Sequence, residues 1–115
     1  MPEVTTTLLP TVPTDLWLAG NQVPASSGET FAVEDPATGE VIAQVADATL
    51  ADADAALDAA VAAAPVWAKT SPRHRTNVLT RIFDLVTERT GDLARTMTVE
   101  MGKPLGEARG EVAYG

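Results

Sequence analysis

One histidine, sixteen carboxylates and a single Gly-Lys-Pro tract are the groups in this 115-residue chain that could do chemistry. His74 stands between Arg73 and Arg75 at the expected start of a helix. Base or metal work would need a partner ligand that the sequence does not show, so it reads as a surface residue. Asp52, Asp54 and Asp58 could supply a carboxylate pair for acid/base work, but on an alanine-rich helix they read as its wet face. In Gly102-Lys103-Pro104-Leu105-Gly106 a lysine near a helix start could draw an anion. A helix stop followed by a helix start accounts for the same Gly102 and Pro104. Neither a Gly-x-Gly-x-x-Gly fingerprint nor a Walker-type loop is present. Met97 and Met101, four apart, read as helix core rather than as a partner-binding stripe. The chain has no cysteine, which removes thiolate nucleophiles, disulfides and thiolate metal sites. No catalytic, cofactor-binding or metal-ligating residue is assigned.

A net charge of −8 disfavours nucleic acid and anionic membrane surfaces as partners, since both are bound by clustered Lys and Arg. The charge is asymmetric. Positions 1–68 hold acids and no Lys or Arg, while all eight basic residues fall from Lys69 onward; a solvated acidic surface is the simplest account. The opening residues lack the positive, then apolar, pattern of a secretory signal. The apolar stretch Val61–Ala68 contains Pro65 and is far short of the roughly 20 residues that span a bilayer. The expectation is a cytoplasmic protein.

The elements that would position these residues follow from periodicity and punctuation. Residues 1–14, rich in Thr and Pro, read as a flexible tail. Leu16 to Val23 reads as a hairpin turning at Gly20-Asn21. Phe31–Glu34 and Val41–Val45 read as a second hairpin around Asp35-Pro36-Ala37-Thr38-Gly39, with Pro36 presetting φ and Gly39 leaving the turn. At Thr49 the period changes to that of a helix, with Thr49 as cap and Asp52 as its reciprocal partner; Ala53, Leu57, Ala60 and Ala64 share a face, and Pro65 ends it. Ser71-Pro72 starts a second helix, striped by Val78, Leu79, Ile82, Phe83 and Val86 and stopped at Gly91. A third, from near Asp92, aligns Leu93, Met97 and Met101 and stops at Gly102. A fourth starts near Pro104 with Leu105, Ala108 and Val112 on one side, its packing partner not evident. With aromatics at 4%, close packing over alanine is expected rather than a thick core. Strands followed by helices read as α+β, or as the opening of a larger α/β protein.

Three strings occur in order: Phe31-Ala32-Val33-Glu34-Asp35-Pro36-Ala37-Thr38-Gly39-Glu40-Val41-Ile42, then Trp67-Ala68 with Arg73 and Arg75, then Glu100-Met101-Gly102-Lys103-Pro104-Leu105-Gly106-Glu107-Ala108. Together they resemble the N-terminal region of the aldehyde dehydrogenase superfamily, over roughly Leu16 to Gly115. The run from Leu93 to Tyr114 is most similar to succinate-semialdehyde dehydrogenases. The resemblance implies an α/β fold in the full-length family, of which this segment is the α+β opening: two N-terminal β-hairpins and about four helices. Residues 15–115 would form the incomplete N-terminal part of the NAD(P)-binding domain. It implies oxidation of succinate semialdehyde, or a related aldehyde, with NAD or NADP, through a cysteine nucleophile and a glutamate base that lie later in such chains. It also implies a homo-oligomer when complete. The segment alone is expected to be inactive and to bind no cofactor. In some relatives the acid matching Glu100 helps hold a structural cation. The rival expectation is a free-standing, non-catalytic α+β assembly or binding module derived from such an enzyme.

Overall fold

The computed structural model describes residues 12–115. Its order is β1 (Leu16–Leu18), β2 (Asn21–Val23), β3 (Thr30–Glu34), β4 (Val41–Ala46), α1 (Leu50–Ala68), α2 (Pro72–Glu88), α3 (Thr90–Met101) and α4 (Leu105–Tyr114). β1 pairs with β2 and β3 with β4, both antiparallel, as two separate two-stranded sheets. The expected α+β arrangement of two hairpins and four helices is what the chain forms.

Of the expected tail, residues 1–11 lie outside the described residues. Val12 packs beside Ile42 and Val99, and the Thr14 carbonyl accepts from the Ala46 amide at 2.9 Å. The first turn sits one residue earlier than expected. Leu18 faces Asn21, so the loop residues are Ala19 (φ 49°) and Gly20 (φ 82°), and Asn21 instead opens β2 with its side-chain amide donating to the Ala19 carbonyl. A two-residue loop with both φ values positive matches the right-handed strand twist, and it forces Ala19 into a region where its Cβ crowds the backbone. Ala19→Gly is expected to raise stability by about 0.5–1 kcal/mol, measured by urea unfolding; a loss of stability would refute the strain.

In hairpin 2 the Asp35 carbonyl accepts from Gly39 at 2.7 Å, and its carboxylate accepts from the Ala37 amide at 2.7 Å. Gly39 takes φ 74°, the role the turn sequence assigns it. A register irregularity between Val33 and Glu34 lets this turn close.

Thr49 and Asp52 form the full capping box expected of them. Pro65, expected to end α1, lies inside it. A proline loses its bond to the carbonyl four residues back and crowds that carbonyl with its ring, yet α1 continues through it to Ala68. It stops after Ala68, where the Thr70 hydroxyl donates to the Trp67 carbonyl at 2.7 Å. Gly91, expected to stop α2, is instead the second residue of α3. The Thr90 hydroxyl donates back to the Val86 and Thr87 carbonyls at 3.2 and 2.8 Å, satisfying end-of-helix acceptors that a C-terminal glycine turn would otherwise cap. Gly102, at φ 73°, does stop α3.

The core is split in two. Ile42 and Val99 join hairpin 2 to α3, while Ala94, Ala108 and Val112, flanked by Val86 and Met97, join α3 to α4 with a contribution from α2. α4 therefore has α3 as the partner its sequence left open. Ala94 and Ala108 are wholly enclosed, so the two helices meet over methyl groups. Of the expected methionine pair, Met97 is half-buried and Met101 exposed. The body is 18 Å through its thinnest axis, with a radius of gyration of 17.2 Å, against roughly 13 Å for a compact domain of this length.

Candidate functional site

Three places combine distinctive residues: the N-terminus of α1, the turn after α3, and a cleft between α2 and α4.

At the first, strand β4 leads into α1, the position where a phosphate-binding turn would lie in a nucleotide-binding βα unit. Here the helix N-terminus is occupied by the protein's own carboxylate. Asp52 accepts from the Thr49 amide (2.9 Å), the Thr49 hydroxyl (3.0 Å) and, across 26 residues, the Ser26 amide (3.1 Å). The Ser26 hydroxyl completes the network at 2.8 Å from the Thr49 hydroxyl. Asp52 was expected on the wet face with Asp54 and Asp58; it is buried, whereas the other two are exposed. A short carboxylate facing backbone donors is drawn inward by hydrogen bonds that its neighbours on the helix do not have. Those donors, the Thr49 amide first and Ser26 next, hold its carboxyl below the ordinary aspartate value of 3.8. Because the folded value is the lower one, this contribution is complete above the unfolded value and is lost only as pH falls through the folded one. A carboxyl-carbon titration should therefore place the Asp52 midpoint below 3.8, and a midpoint above it would contradict this geometry.

At the second, the turn of hairpin 2 meets the end of α3. A Cβ on Gly102 would lie 3.1 Å from Pro36 Cγ, so the Asp35–Gly39 turn and the Glu100–Gly106 tract, far apart in sequence, form one joint. The Lys103 ammonium is paired with the Glu111 carboxylate on α4, one turn past Glu107. This pairing opposes the anion-attracting role considered for that tract, because the lysine's charge is already answered. Glu100 is exposed. Among the described residues no group of three or more His, Cys, Asp or Glu is placed to hold a metal ion.

His74 lies exposed on the surface, as expected, with its ring edge-on to Trp67 at 6.2 Å between centroids. Beside it, Arg75 donates to the Thr70 carbonyl at 2.7 Å and ties the start of α2 to the end of α1.

The third place is apolar. Leu79, Ile82, Phe83 and Val86 of α2 face Val112 and Ala113 of α4 across a cleft of about 490 Å³. Leu79, Ile82 and Phe83 are 62%, 52% and 69% exposed, which a stripe of this kind is not when a helix packs in a finished core. The sequence identified the stripe, but not that α4 would cover only its margin. No helix of the described residues is long and apolar enough to cross a membrane.

A sequence model of the aldehyde dehydrogenase family matches residues 23–115. A succinate-semialdehyde dehydrogenase of Paenarthrobacter nicotinovorans is 61% identical over 75 residues, 65% of this chain and 17% of that one. A glutarate-semialdehyde dehydrogenase of Pseudomonas aeruginosa is 46% identical over 98 residues, 85% of this chain and 20% of that one. A crystal structure of betaine aldehyde dehydrogenase from Staphylococcus aureus in complex with NAD+ superposes with a TM-score of 0.88 at 28% identity, over 92% of this chain and 22% of that one. The chain spans about a fifth of the length of the curated relatives it matches.

Proposed function

The chain belongs to the aldehyde dehydrogenase family, and on that premise we propose that it is the leading segment of an NAD(P)-dependent dehydrogenase that oxidises succinate semialdehyde or a close homologue. Residues 15–115 serve, in this reading, as the opening part of the nucleotide-binding domain. The observation that carries it is the open α2–α4 cleft: a stripe of Leu79, Ile82 and Phe83 this exposed is the face of an unfinished core. The relatives are about four times as long as this chain, which supports further polypeptide over that face. That two of them act on short dicarboxylic semialdehydes supports the substrate class.

In this reading the dinucleotide is seated on polypeptide outside residues 15–115. The one strand-to-helix turn places the Asp52 carboxylate where a pyrophosphate would be held, and two anions at that helix end would repel. Lys103 is held by Glu111. With no cysteine in the chain, the thiolate chemistry of the family has no nucleophile here either. In this proposal the segment's own work is architectural. It presents an apolar platform on α2 and α4 and locks the end of α3 against hairpin 2, and the reacting groups stand on the polypeptide that covers the platform.

The test is an absorbance assay of NAD(P)H formation from succinate and glutarate semialdehydes, run on the 115-residue chain and on the intact gene product isolated through this segment. The proposal expects turnover only from a longer product. Turnover by the short chain itself would overturn the architectural assignment; a longer product inert toward both aldehydes would overturn the substrate class.

A further inference from the structure

We propose that the Asp52 carboxylate is a latch that determines whether hairpin 1 (β1–β2) is docked on α1, a conformational device separate from the packing that holds the rest of the segment. Its basis is a contrast between the two hairpins. Hairpin 2 is fixed by apolar contact: Ile42 packs with Val99, and Pro36 abuts Gly102. Hairpin 1 has no equivalent. Its Leu16, Leu18 and Val23 are only half-buried, and β1 and its turn line an open surface over Ala56, Ala59 and Ala60 of α1, with Trp17 67% exposed. α1 itself is 19 residues long, yet its one buried residue is Asp52. Apolar burial at this boundary is therefore partial, with no residue of β1 or β2 and no apolar residue of α1 fully buried.

What spans the boundary instead is a polar network centred on Asp52, with the Ser26 hydroxyl also 2.8 Å from the Thr49 hydroxyl. The Ser26 amide, on the loop that follows β2, donates to both Asp52 oxygens at 3.1 and 3.3 Å. The same carboxylate caps α1 through Thr49. The loop is shaped for this contact: Ala25 is buried, and Gly28 turns back at φ 73° with its amide on the Ala25 carbonyl at 2.8 Å. The other ties lie at the base of the hairpin, where the Thr14 and Glu29 carbonyls accept from Ala46 and Asp47. They fix its ends to β4 and leave its angle to α1 unset. Hydrogen bonds to an ionised acceptor are the strong kind, but a boundary with only partial apolar backing opens when they are removed.

Amide exchange on the isotopically labelled 115-residue chain tests the latch. In Asp52→Asn the Ser26 amide should exchange about tenfold faster or more, with the Trp17 indole resonance shifted and hairpin 2 amides within about twofold of their original rates. Thr49→Ala removes the hydroxyl cap and the Ser26–Thr49 hydroxyl bond but keeps the carboxylate on the Ser26 amide, and should leave that amide protected. The proposal is overturned if Ser26 is unprotected in the unsubstituted chain, if Asp52→Asn leaves it protected, or if hairpin 2 amides accelerate equally. It is also overturned if Thr49→Ala releases Ser26 as much as Asp52→Asn does, since the helix cap rather than the latch would then carry the effect.

Discussion

Replacing Gly102 by alanine is expected to destabilise the chain by about 2–3 kcal/mol, because two independent costs meet at one Cβ. The first is conformational: Gly102 ends α3 at φ 73°, and a side chain there costs about 1–2 kcal/mol. The second is steric. The new Cβ would stand 3.1 Å from Pro36 Cγ, and the proline cannot easily withdraw. Its turn is held on either side by the Asp35 carboxylate on Ala37 and the Asp35 carbonyl on Gly39. The two costs can be separated. Pro36→Ala in the Gly102→Ala background should recover the steric part and leave the conformational part, so a double-mutant cycle by urea unfolding should show a coupling of about 1 kcal/mol. Additive effects would mean that the two tracts do not form a joint, and a Gly102→Ala chain as stable as the original would remove both costs from consideration.

Phe83→Asp should have a small effect in one setting and a large one in another. On the described surface Phe83 is 69% exposed, and a substitution at such a position changes stability by no more than about 0.5 kcal/mol. In a longer polypeptide that covers the cleft, the same substitution would remove a buried ring and bury a carboxylate without a partner. Together these should cost about 3–5 kcal/mol. Melting the variant as the 115-residue chain and within the intact gene product compares the settings directly. Equal, small effects in both would mean that the stripe on α2 stays open to solvent in the assembled protein, and the proposed platform would have to be given up. The cleft is lined by larger side chains than the alanine surface between hairpin 1 and α1. Their burial at about 25 cal/mol per Å² offers more stabilisation than methyl groups can.

What could be read from the sequence was whatever a few adjacent residues settle among themselves. The Thr49–Asp52 box, the Ser71-Pro72 start, the Gly102 stop and the Asp35–Gly39 turn each satisfy backbone donors and acceptors within about four positions. Their residue types are therefore nearly sufficient evidence. The family was legible for the same reason, since its recognisable strings are these local devices in order. Expectations failed where a second local solution competed. Thr90 took over the stop assigned to Gly91, and the pairing of Leu18 with Asn21 put Ala19 rather than Asn21 in the turn. Pro65 forfeited one bond without ending its helix.

Other matters depended on contacts between distant residues. Periodicity showed that α3 and α4 have apolar sides but not that Ala94 and Ala108 would be the enclosed residues, with Met101 left outside. It placed Asp52 on a helix but could not foresee a bond to an amide 26 residues away. It drew a stripe along α2 without showing how little of that stripe α4 would cover. A stripe records that a face is apolar, and only the positions of other elements determine what, if anything, lies against it.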